Sequence, residues 1–103
     1  MLTVINPATE DLLATAPRAD LAQLHRAVVA AKTAFPLWSA TPIRARGALL
    51  AKLADAMEAR QDELARLLTE EQGKPLADAK WEIVAAIASI RYFASLQLAA
   101  HGA

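Results

Sequence analysis

The chain of 103 residues carries eleven basic and eleven acidic side chains, is 55% hydrophobic but only 5% aromatic, and contains no cysteine. The charge balance removes the electrostatic footprint of a nucleic-acid or polybasic membrane binder. The missing thiol excludes disulfides, thiolate metal sites, iron–sulfur clusters and a cysteine nucleophile within these residues.

The length fits one domain or a piece of one, with room for a modest core. Many alanines and few aromatics point to closely packed helices rather than a β-sandwich, so the expected class is mainly α. The first residues do not form a basic stretch followed by an apolar one. The longest apolar run, 83–90, is closed by Glu82 and Arg91 and falls far short of the roughly 20 residues a bilayer requires. The chain reads as cytoplasmic, with no membrane partner and no nucleic acid.

In chain order, Leu2-Thr3-Val4-Ile5 is a β-prone run stopped by Asn6-Pro7, and Leu12 to Ala16 is a second one stopped by Pro17. They predict a short hairpin or two extended segments over 1–19, lying on something larger because a lone two-stranded ribbon is marginal in water. Asn6 fits a turn-capping role. Asp20 followed three residues later by Gln23 has the form of a capping box. Leu21, Leu24, Val28, Ala31 and Phe35 then predict a first helix over 21–35, stopped by Pro36. His25 has no second histidine or carboxylate at ligand spacing and is assigned to the surface.

Trp38 falls in the connection as a packing anchor, and Thr41-Pro42 predicts the start of a second helix with Thr at N-cap and Pro at N1. Ile43, Gly47, Leu50, Leu53, Ala54 and Met57 form its apolar stripe, with Arg44, Arg46, Lys52 and Glu58 off it. Gly47 in that stripe suits a close helix crossing. A third helix is predicted over 62–72, with Asp62 and Glu63 in the first turn where the dipole favours anions. Gly73 suits a left-handed helix end and Pro75 the first turn of a fourth helix over 76–97. Residues 101–103 read as a frayed tail. Four helices and a hairpin form one unit over 1–103, the helical part spanning 20–98. The apolar positions of the fourth helix cover more than one stripe, which predicts an exposed apolar patch and hence a partner surface.

Glu71 requires an explanation of its own. It lies seven residues beyond Leu64 on a stripe with Leu67 and Leu68, which predicts an inward carboxylate, and it sits at a helix C-terminus whose free carbonyls are already negative. A cation should answer it, either Lys74 or an arginine of the second helix, or a bound ion. Gly73-Lys74 is not a phosphate loop, because no upstream glycine, following Ser or Thr, or preceding buried strand accompanies it. Ser39 and Thr41 have no triad-like partners.

The ordered set Val4-Ile5-Asn6-Pro7-Ala8-Thr9, Ala31 through Phe35 to Trp38, Pro42-Ile43-Arg44-Ala45-Arg46, Glu71 through Ala79, and Arg91-Tyr92-Phe93-Ala94 resembles the N-terminal segment of the NAD(P)-dependent aldehyde dehydrogenases. The resemblance covers nearly the whole chain and is greatest to the succinate-semialdehyde dehydrogenase branch. It implies an oxidoreductase in which a cysteine thiolate attacks the aldehyde, a glutamate acts as general base, an asparagine helps hold the oxyanion and a Rossmann-like domain presents the nicotinamide. All of these lie downstream of the matched segment. The expectation is therefore a truncated or split N-terminal portion, structural and inactive by itself, with no catalytic residue and no cofactor of its own. The resemblance also implies a monovalent cation held by the backbone carbonyls of Val4 and Ile5 and the carboxylate of Glu71. The expected partner is the remainder of an aldehyde dehydrogenase; the alternative is a free-standing helical module that self-associates through its apolar face.

Overall fold

The computed structural model describes residues 1–96. Two strands, β1 (Leu2–Ile5) and β2 (Leu12–Ala16), are followed by four helices, α1 (Leu21–Ala40), α2 (Ile43–Ala59), α3 (Gln61–Gln72) and α4 (Leu76–Ser95). The mainly helical class with one hairpin is as the sequence predicts. The strands pair antiparallel, Leu2 opposite Ala16 and Val4 opposite Ala14, and the register shifts between Val4 and Ile5, which faces Leu12. Asn6 caps the turn as expected, its Oδ1 accepting from the Ala8 N–H at 2.9 Å.

Helix α1 opens on a reciprocal capping box: the Gln23 N–H donates to Asp20 Oδ1 at 2.7 Å, and the Asp20 N–H donates to Gln23 Oε1 at 2.8 Å. It does not stop at residue 35. Pro36 lies inside the helix, which continues to Ala40. Proline removes one N–H and crowds the carbonyl four residues back, yet the following turn is held by other bonds. The Thr41 N–H donates to the Trp38 carbonyl at 3.0 Å, and the Ser39 hydroxyl to that of Pro36 at 3.1 Å. Thr41 is accordingly not the N-cap of α2. Its hydroxyl donates backward to the Leu37 carbonyl at 2.9 Å, finishing α1, and Pro42 takes the N-cap place without a side-chain cap. Trp38 thus lies on a helix rather than in a connection.

Helix α3 begins at Gln61 with Asp62 and Glu63 in its first turn, and ends on Gly73, whose φ of 77° is the left-handed conformation expected there. Helix α4 starts behind Pro75; the predicted end at Gln97 and the tail at 101–103 lie outside the described residues.

Helix α4 is the spine, with α2 and α3 both packed on it. The buried contact residues are small, Gly47 and Ala54 on α2, Ala65 on α3, and Ala79 and Ala94 on α4, except for Ile87 of α4. Small side chains let helix axes approach closely. Among the described residues, no large side chain is fully buried. Leu53, expected in the α2 stripe, is exposed, because the contact line runs through Gly47, Leu50 and Ala54 and Leu53 stands one position to its side. Arg91 ties α4 to α2, donating to Asp55 and to Glu58 at 2.9 Å each.

Helix α1 is different. Every one of its residues is exposed, and it packs on none of the other elements as they pack on α4. The radius of gyration is 17.8 Å, against about 13 Å for a compact domain of 100 residues. Among the described residues, no helix is long and apolar enough to cross a membrane.

Two predictions follow from these local contacts. A Cβ at Gly73 would lie 2.7 Å from Pro7 Cγ, on a backbone at positive φ, so Gly73→Ala should lower unfolding free energy by about 2 kcal/mol in urea titration. An unchanged midpoint would contradict the contact between hairpin turn and helix corner. Separately, the Arg60 guanidinium, hydrogen-bonded to Glu63, holds that carboxyl below its ordinary value of 4.5. Because the folded value is lowered, the pair's contribution is present above the unfolded glutamate value and is lost as pH falls through the lowered one. Carboxyl-carbon NMR should show Glu63 titrating below its ordinary value, and Arg60→Met should raise it.

Candidate functional site

The sequence-predicted site residues lie on β1 and α3, and the residues that follow these two elements, Pro7 and Gly73, touch. The hairpin turn is held by the Asn6 N–H donating to the Asp11 carbonyl at 2.9 Å and the Glu10 N–H donating to the Asn6 carbonyl at 2.8 Å. Glu10 takes φ 65° to close it. This places the Pro7 ring against Gly73, at the corner between α3 and α4. The corner is built by the Gly73 N–H donating to the Thr69 carbonyl at 2.8 Å, and by the Pro75 carbonyl accepting from the Asp78 and Ala79 N–H groups at 3.0 Å each. Ile5 at the end of β1 and Glu71 at the end of α3 each lie two residues before that contact, and Val4 three.

Of these residues, Val4 is half-buried while Ile5 and Glu71 are exposed. The inward orientation expected of Glu71 is not what the fold produces. At about 100° per residue, the buried arc of α3 centres on Ala65, Leu68 and Thr69, with Leu64 at its edge. Leu67 and Glu71 lie further round, toward solvent. Lys74, one candidate counter-ion, pairs with Glu82 instead. Among the described residues Glu71 enters no ion pair. The irregular register between Val4 and Ile5 interrupts the strand ladder where backbone carbonyls would be needed as ligands.

His25, Ser39 and Thr41 are exposed or engaged locally and converge on nothing. Among the described residues, no group of three or more His, Asp or Glu side chains could hold a metal ion by itself.

The largest feature is apolar. Val28, Phe35 (66% exposed) and Leu37 (80%) stand out on α1, and Trp81 (73%) and Phe93 (62%) on α4. The patch expected on the fourth helix is present, and α1 adds a second that the amphipathic pattern leaves undirected. One residue escaped sequence reasoning. Arg46, placed off the α2 stripe, is half-buried, and its Nε is buried without a hydrogen-bond acceptor among the described residues. The signal was available: Arg46 is three residues after Ile43 and four before Leu50, on the face those two define.

A family model for the aldehyde dehydrogenase family matches residues 1–103. The chain is 45% identical over 93 residues to a glutarate-semialdehyde dehydrogenase of Pseudomonas putida, covering 90% of this chain and 19% of that protein. It is 42% identical over 93 residues to succinate-semialdehyde dehydrogenase [NADP(+)] of Escherichia coli, again covering 90% and 19%. Among solved structures, an NAD-dependent benzaldehyde dehydrogenase from Corynebacterium glutamicum superposes with a TM-score of 0.93 at 31% identity, over 99% of this chain and 22% of that one. The chain thus spans about a fifth of the length of the relatives it matches. On sequence and on structure, it belongs to the aldehyde dehydrogenase family.

Proposed function

We propose that these residues serve as the N-terminal portion of an NAD(P)-dependent enzyme that oxidises an aldehyde, of the semialdehyde class, to the carboxylic acid. Their work in it is structural. The observation that carries this reading is the position of α1. Exposed at every residue, the helix nevertheless belongs to a chain that superposes over 99% of its length on a benzaldehyde dehydrogenase more than four times as long. A helix that leaves its apolar side chains exposed along its length is stable only if something else covers it. The remainder of the family fold is the body that fits. The nucleophile and the nicotinamide site then come from outside these 103 residues, which contain no cysteine.

The same reading includes a monovalent cation at the corner. Glu71 supplies one negative charge, the carbonyls of Val4 and Ile5 supply neutral oxygens, and no side-chain cation neutralises Glu71 among the described residues. The ion would pin the hairpin to the α3–α4 corner beside the Pro7–Gly73 contact. Sodium or potassium salts should raise the melting temperature above that in a bulky organic-cation salt at equal ionic strength, and Glu71→Gln should abolish the difference. Identical curves for the unaltered chain would remove the cation.

The assembly itself is tested by co-expressing the tagged chain with the Pseudomonas putida relative from which the matched fifth has been deleted. The two should purify together and reduce NAD(P) in the presence of an aldehyde, with neither chain active alone. A stable homodimer of the 103-residue chain without co-purification or rescue would instead favour a self-associating module.

A further inference from the structure

A groove runs between the last turn of α1, the start of α2 and the end of α4, lined by Trp38, Ile43, Arg46, Leu50, Phe93 and Leu96. Its walls are apolar except for Arg46. Arg46 lines it with Nε buried and, among the described residues, without a hydrogen-bond partner, and no acidic residue is among the described lining groups. The acids of the neighbouring α2 turns, Asp55 and Glu58, are engaged by Arg91 on a different side of the helix.

A buried N–H without an acceptor is disfavoured by about 1–3 kcal/mol, and more for a charged group. An apolar groove around one uncompensated positive charge is complementary to an apolar segment that carries one negative charge. The relatives extend to about five times the length of this chain, so most of the family fold is available to supply it.

We infer that this groove seats an apolar segment from the remaining portion of the aldehyde dehydrogenase, and that a carboxylate in that segment accepts hydrogen bonds from Arg46. This rests on the assembly proposed above and deepens it, naming one seat and the chemistry of what fills it. Phe93, largely exposed here, and Trp38 would be covered by the same segment. Arg46 is then a positioning residue for assembly and takes no part in the chemistry.

The test uses the co-expressed complex and the free chain in parallel, with Arg46→Met and Arg46→Lys. In the free chain, Arg46→Met should leave the melting temperature unchanged or raise it, since it removes an unsatisfied donor. In the complex it should weaken association about tenfold to hundredfold, read as the dissociation constant by titration of labelled chain. Lysine, which keeps the charge but not the fork, should recover part of the loss. Substituting the acids of the remaining portion one at a time should reveal one whose effect is lost in the Arg46→Met background.

If the unaltered chain binds and Arg46→Met binds equally well, the groove assignment is wrong while the assembly stands. If Arg46→Met lowers the free chain's melting temperature as much as it weakens the complex, Arg46 has its partner inside this chain and the inference is overturned. Failure of the unaltered chain to bind overturns both.

Discussion

Helix α4 carries apolar side chains around more than one face, and this chain covers only one of them. Helices α2 and α3 occupy that face through glycine and alanine contacts, which bring backbones close but bury little apolar area per residue. Large side chains that would form the centre of an independent core, such as Trp81 and Phe93, stay in water. The radius of gyration expresses the same shortage as a shape. A chain that is 55% hydrophobic and has no fully buried large side chain among its described residues is consistent with one layer of a thicker structure.

Order along this layer comes from local devices rather than from a deep core. The capping box at Asp20, the left-handed Gly73 and the proline at the start of α4 fix helix ends. Each contributes about 1 kcal/mol, a sizeable share where burial is scarce. The contact of Pro7 with Gly73 joins the hairpin to the helical part. The exposed ion pairs contribute little apiece; that of Arg91 with Asp55 and Glu58 fixes the register of α4 on α2 more than it stabilises either.

Much of this was legible in the residues. The hairpin, the four helices, the capping box and the Gly73 turn follow from periodicity and end signals, because those are local and nothing in the tertiary structure opposes them. Pro36 was misleading for a physical reason: its cost is one lost hydrogen bond and a crowded carbonyl, and three bonds around Ser39 and Thr41 offset it. Glu71 was misplaced because Leu64 and Leu67 suggest one centre for the α3 stripe and the contact with α4 imposes another, at Ala65. An alanine at the centre of an interface is invisible to a pattern that weights large side chains. The motif series, in contrast, carried the family correctly.

Two sites are of different kinds. In the proposed assembly the corner bearing Glu71 joins parts of this chain to one another, whereas the groove at Arg46 and the outer faces of α1 and α4 receive the rest of the enzyme. The claim joining them is that α1 is held ready for a surface this chain does not contain. Hydrogen–deuterium exchange on the backbone amides of α1 measures that directly, compared between the free chain and the chain assembled with the rest of a family member. The account predicts fast exchange across residues 21–40 in the free chain and strong protection after assembly, while the centre of α4 is protected in both. Equal, strong protection of α1 in the free monomer would contradict it.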